Sequence, residues 1–140
     1  MSDTASLTQG CVAFNLRRAS RIVTRRYEKA LQPLGVKSFQ FSTLAALAER
    51  ENLPQSALAK AFGMDISTIN RNLKPLETRG VVEIHTKPED GRVKLVSITP
   101  AGRALLAKAI PLWRQAQEET LKDLSGPEWA ELRTAIRNLA

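Results

Sequence analysis

Apolar residues recur between Gly10 and Leu34 at Val12, Leu16, Ala19, Ile22 with Val23, Tyr27, Ala30 and Leu31, close to helical spacing. The pattern predicts one long amphipathic helix, with Arg17, Arg18, Arg21, Arg25 and Arg26 between the apolar positions as a solvated face. "PLGVK" breaks it, Ser38 can cap the next helix, and Phe39, Phe41, Leu44, Ala45, Leu47 and Ala48 form a buried stripe up to Arg50. After the turn "ENLP", with Pro54 in a first turn, Leu58, Ala59 and Phe62 predict a short helix ended by Gly63. Another helix follows at once, with Asp65 as N-cap candidate. Its Ile66, Ile69, Leu73 and Leu76 fall on one side, and Ser67, Thr68, Arg71 and Lys74 on the other. Pro75 stands inside it, past the turns that carry the polar face. A short helix, a tight glycine turn and a longer helix with a polar, basic outer face make helix-turn-helix grammar over residues 54–79.

The period then changes to two. Val82, Ile84 and Thr86 alternate on one run and Val93, Leu95 and Ser97 on the next, with "KPEDGR" between them and Asp90-Gly91 as the hairpin signal. A basic-tipped hairpin directly after such a helix reads as a wing, where Lys87 and Arg92 could grip phosphates or enter a minor groove. Thr99 and Pro100 restart a helix, which Leu105, Leu106, Ala109, Ile110, Leu112, Trp113, Ala116, Leu121 and Leu124 carry forward and Pro111 should bend. In "LSGPEW", Ser125 and Glu128 have capping-box spacing, and Leu124 and Trp129 fit a hydrophobic staple. A last helix packs through Trp129, Leu132, Ile136 and Leu139. The fold class predicted is mainly α with a small β-hairpin.

A chain of 140 residues suits one domain with enough apolar sequence for a core. Its 21 Lys and Arg against 14 Asp and Glu leave a charge of +7, which points to a polyanionic partner. Residues 1–99 hold 15 basic and 9 acidic side chains and residues 100–140 hold 6 and 5, so the basic surface is expected in the first two thirds. The single cysteine, Cys11, excludes an internal disulfide, and Cys11 with His85 cannot make an all-Cys/His zinc site; neither metal nor cofactor is expected. His85 lies in the alternate phase to Ile84 with no serine, cysteine or acid at a pairing distance along the chain, so no catalytic site is expected either. No apolar run reaches the length of a membrane span and "MSDTASLTQG" lacks the order of a signal peptide, which makes the cytoplasm the expected location.

The order of a long first helix, helix-turn-helix, "LKPLETRGVVEI", a wing holding "EDGR" and "ITPAGRALL" opening a long helix resembles the MarR family of transcriptional regulators. The resemblance covers nearly the whole chain and is most specific over residues 73–106. It implies a winged helix-turn-helix over residues 37–99, flanked by N- and C-terminal dimerisation helices over 1–36 and 100–140, in a homodimer that offers two recognition helices to double-stranded DNA. It also places Asp90 and Arg92 as a pair in the wing, the arginine entering the minor groove and the acid holding it. The polar face of the helix after Gly63 then enters the major groove, Arg71 suited to guanine and Ser67 and Thr68 to bases or phosphates. Asn70, Lys74, Lys94, Gln55 and Ser56 complete the candidate DNA-binding set. Dimerisation has a physical motive as well, since the amphipathic first and last helices exceed what one small core covers.

The expected function is a dimeric, sequence-specific DNA-binding regulator without enzymatic activity, a repressor released by a small aromatic or phenolic effector. In the family the effector cavity lies between the dimer helices and the winged helix, which makes Phe14, Arg17, Phe41 and Leu44 candidate lining residues. Cys11 is a separate candidate: with Thr8 as cap, the thiol would lie in the first turn of the first helix, and the peroxide-sensing branch of the family uses an N-terminal cysteine. When Arg21, Tyr27 and Gln40 are matched to that branch, Cys11 falls two residues early and Ser38 stands where a partner tyrosine belongs. A buried, inert thiol is therefore expected, with a redox-sensing repressor as one alternative and a winged-helix protein-interaction module as another.

Overall fold

The computed structural model describes residues 4–140, a mainly helical chain with one small antiparallel sheet. The elements are α1 Thr4–Gly10, α2 Val12–Leu31, a 3-10 turn Gln32–Leu34, α3 Ser38–Glu49, β1 Leu53–Pro54, α4 Gln55–Ala61, α5 Ile66–Thr78, β2 Val82–Lys87, β3 Asp90–Ile98, α6 Pro100–Lys122 and α7 Gly126–Arg137. They divide into two compact units: Val36–Ile110, and the two ends of the chain, up to Gly35 and from Pro111 on.

The central unit is built on Leu44, Leu47, Leu58, Ile69, Leu73 and Val96, none of which is exposed. Gly63 makes the tight turn between α4 and α5 at φ +62°, a left-handed conformation that favours glycine, and the Met64 N–H returns to the Ala59 carbonyl at 2.9 Å. In α5 the buried stripe consists of Ile69, Leu73 and Leu76. Ile66, expected in that stripe, is 50% exposed, because the first helical residue falls at the edge of the stripe beside Asn70. Cap assignment also shifts at α3: Lys37 is the N-cap, not Ser38, and its N–H donates to the Gln40 side-chain oxygen at 3.0 Å.

The wing is a three-stranded sheet of order β1-β3-β2. Val82 pairs with Ile98, Ile84 with Val96, His85 with Leu95 and Thr86 with Lys94. Within β3, Val96 alone is buried, in the phase of the exposed Lys94, whereas Val93, Leu95 and Ser97 are all half-buried. The reversal also falls at Pro88-Glu89 instead of Asp90-Gly91, since proline presets a turn and an irregularity between Thr86 and Lys87 absorbs the change of register. Pro54, expected in a first helical turn, instead caps α4 while pairing with Leu95 as the end of β1. The first turn of α6 is tied to this unit: Thr99 Oγ1 donates to the Gly80 carbonyl at 2.7 Å and accepts from the Gly102 N–H at 3.0 Å.

In the unit formed by the chain ends, the first helix is not continuous. α1 ends at Gly10 and α2 starts anew, with Cys11 as its N-cap instead of a residue of its first turn. The Asn15 side chain donates to the carbonyls of Thr8, Gln9 and Cys11 at 3.2, 2.9 and 2.8 Å, which satisfies groups left open where α1 stops. α2 meets α6 through Tyr27, whose hydroxyl donates to Gln117 and whose ring lies 6.5 Å from that of Trp113, and through an Arg26–Asp123 ion pair at 2.7 Å. α6 runs through Pro111 as one helix. The capping box at α7 is present, with Ser125 Oγ accepting from the Glu128 N–H and Glu128 from the Ser125 N–H.

Candidate nucleic-acid interface

The start of α5 is fixed by Asp65. Its carboxylate accepts the Thr68 N–H at 2.7 Å, and that bond, reinforced by the Thr68 hydroxyl and the Arg71 charge, holds the carboxyl below its ordinary value. From this anchored end, Ser67, Asn70, Arg71 and Lys74 are all exposed, whereas Thr68 is half-buried. Helical spacing sorts the exposed positions into two adjacent rows, Ile66–Asn70–Lys74 and Ser67–Arg71. Ser56 is exposed and Gln55 half-buried in the first turn of α4.

At the wing, Asp90 Oδ1 accepts from both the backbone N–H of Arg92, at 3.0 Å, and its Nε–H, at 3.3 Å. The Arg92 side chain is nevertheless 92% exposed, so the rest of its guanidinium faces solvent. Lys87 lies 3.7 Å from Glu89, a loose exposed pair, and Lys94 is exposed opposite Thr86. Two short polar elements, α5 and the wing, thus present cations and amide groups that suit phosphates and base edges.

The remaining candidates belong to different units. Phe14, 39% exposed, and Arg17 lie on α2 in the unit of the chain ends. Phe41 and Leu44 are buried in α3 of the central unit, Leu44 completely. Cys11 is exposed, contrary to the expected burial, because α1 and α2 meet at a break there; its sulfur accepts the Phe14 N–H at 3.4 Å. Ile66 is the surface residue that sequence reasoning missed: helical periodicity counts any isoleucine at that spacing as core.

A helix-turn-helix with a three-stranded wing and a polar, basic outer helix face defines a DNA-binding winged-helix regulator. Residues 38–94 match the model of the MarR family. The chain is 31% identical over 124 residues to the HTH-type transcriptional repressor NicR of Pseudomonas putida, covering 89% of this chain and 78% of that protein. It is similar to the Mycobacterium tuberculosis transcriptional regulator MosR in complex with DNA, with a TM-score of 0.84, 36% identity and 92% of each chain covered. It is also similar to Bordetella bronchiseptica BpsR, whose DNA binding is regulated by 6-hydroxynicotinic acid, with a TM-score of 0.81, 26% identity and 91% of each chain covered. The chain belongs to the MarR family and is a transcriptional regulator, not an enzyme.

Proposed function

We propose that two copies of this chain bind one double-stranded DNA operator and repress transcription until a small aromatic ligand releases them. The carrying observation is the outer face of α5, where Ser67, Asn70, Arg71 and Lys74 stand exposed on a helix whose opposite face is fully buried. In this reading α5 enters the major groove, with Arg71 taking a guanine edge and Ser67 and Thr68 meeting bases or phosphates at the helix start. Arg92, steadied by Asp90, follows the minor groove, and Lys87, Lys94, Gln55 and Ser56 meet the backbone.

Dimerisation is supported by where apolar surface remains. Leu7, Val12, Leu16, Leu132, Ile136 and Leu139 are 37–68% exposed, all of them in α1, α2 and α7 or just after α7. Between α2, α6 and α7 lies an apolar groove of about 720 Å³, lined by residues including Val23, Tyr27, Leu121, Trp129 and Ile136. A second copy covers such a surface. The effector reading rests on chemistry: the aromatic ring of Phe14 and the guanidinium of Arg17, one turn apart on α2, suit an aromatic carboxylate or phenolate, and BpsR offers a precedent. Phe41 and Leu44 would be reached only by opening the packing around α3. A regulator of this kind works in the cytoplasm, beside its DNA; no helix among the described residues is long and apolar enough to cross a membrane.

The exposure of Cys11 favours a second route of release, oxidation of its thiol by a peroxide. The test is to select duplexes from a random library, establish the stoichiometry of the complex by sedimentation, and then titrate it with phenols, pyridine carboxylates and peroxides. Binding without sequence preference, or by a monomer, would overturn the main reading. Release by peroxide in the native protein but not in Cys11→Ser would put the second route first.

A further inference from the structure

We propose that Ile66 reads the 5-methyl group of a thymine, next to a base taken by Asn70. The inference rests on the reading that the outer face of α5 enters the major groove. Among the described residues, every other exposed large apolar side chain belongs to the chain ends; in Val36–Ile110 only Ile66 stands out, at 50% exposure. It is the first residue of α5, directly after the Asp65 cap that fixes its backbone, at the end a recognition helix directs toward base edges.

The surroundings decide what such a side chain suits. Its neighbours Ser67, Asn70, Arg71 and Lys74 are polar, so no apolar patch surrounds it of the size that seats a protein partner. A lone apolar group in a polar field matches a lone apolar group on the other side, and in the major groove the thymine methyl is that group. The β-branched side chain is stiff about χ1, so little rotamer freedom is lost when it docks. Asn70 lies four residues on, about 5–6 Å away over the helix surface, and a carboxamide makes its paired hydrogen bonds to adenine. Together the two side chains would favour a step rich in A·T pairs.

The experiment replaces each thymine of the selected operator, one at a time, by deoxyuridine, which removes the methyl and nothing else. Affinity is measured for the native dimer, Ile66→Ala and Ile66→Val, with thermal stability as a control on folding. The native protein should lose about fourfold at one thymine per half-site, the effect of burying one methyl-sized group. Ile66→Ala, which loses the contact in both half-sites, should bind the unmodified operator about as weakly as the native protein binds a duplex with uracil at both of those thymines, and should show no further loss on either uracil duplex, while Ile66→Val keeps most of the sensitivity. No uracil effect in the native protein, or the same effect in Ile66→Ala, would overturn the proposal. So would a fall in thermal stability of Ile66→Ala with its uracil profile unchanged, since Ile66 would then be packing. Arg71→Ala and Asn70→Ala separate the two levels: if either flattens the operator preference while uracil is silent, only Ile66 is misassigned, and if neither changes preference or affinity, the placement of α5 itself fails.

Discussion

The Asp90 carboxylate holds Arg92 twice, through the backbone N–H and through Nε, at 3.0 and 3.3 Å. Two bonds from one oxygen to one residue set both the bend of the strand and the direction of the side chain. The guanidinium stays exposed at the same time, so the pair orients a cation without neutralising its outer edge.

Loss of that cation should weaken DNA binding without harming the fold. Arg92→Ala is expected to lower affinity for all duplexes by about tenfold, the order of one charge-assisted contact, and to flatten the salt dependence. Asp90→Ala should weaken binding less, because the arginine remains but is no longer aimed. Titrations at several salt concentrations, beside melting curves that stay put, check both.

Asp65 gives a dependence on pH. Its folded carboxyl is held below the ordinary value, first by the Thr68 N–H, so the cap contributes stability above the unfolded pKa and loses it as pH falls below that value. Native protein and Asp65→Asn, which caps without titrating, should therefore differ by a constant amount at neutral pH, and the difference should shrink below about pH 4. Melting of both across an acid series measures it; a difference that is flat down to pH 2 would show that Asp65 does not act as a charged cap.

Gly102 is where α6 approaches Val81, the residue before β2, and Ile98 at the end of β3. A Cβ there would overlap the Val81 carbonyl oxygen and press on Ile98, a backbone atom and a packed side chain that cannot both yield. Gly102→Ala is expected to destabilise the protein by about 3 kcal/mol, in the range of an overpacked core. Chemical denaturation would show it as a lower midpoint at unchanged slope.

The parts read correctly from the sequence were those set by neighbours a turn away. Asp65, Gly63 and the Ser125–Glu128 box each act within four residues, and the buried row Ile69, Leu73, Leu76 follows from one period. What escaped was set at a distance. The two-residue β1 exists only because β3 offers it a ladder, and the burial of Val96 goes with its place opposite Ile84 and Leu53, which no alternation within β3 reveals. The break at Cys11 depends on Asn15 reaching back to three carbonyls, a choice that propensity does not encode. In the candidate site the polar row was evident, but Ile66 was not, since an exposed isoleucine and a core isoleucine look alike until the packing is known.

Arg71 and Lys74 should differ in kind when each is removed. Arg71 is exposed in the second turn of α5, in one row with Ser67, where its planar fork can reach a guanine edge; a good bidentate contact of that sort is worth roughly 1–3 kcal/mol of discrimination. Arg71→Ala should therefore flatten the preference at one position in each half-site. Lys74, one turn farther from the capped end, carries a point charge without a fork, suited to a phosphate. Its loss, one lysine from each of the two copies, should lower affinity almost evenly across sequences and reduce the salt slope by about two units. If two copies place their α5 helices in successive major grooves on one side of the duplex, the half-sites should lie about 10 base pairs apart, centre to centre. Binding selections on both variants read all three quantities together. Should Arg71→Ala keep the native preference at every position, Arg71 is a phosphate clamp, and the base-reading role passes to Asn70 and its row.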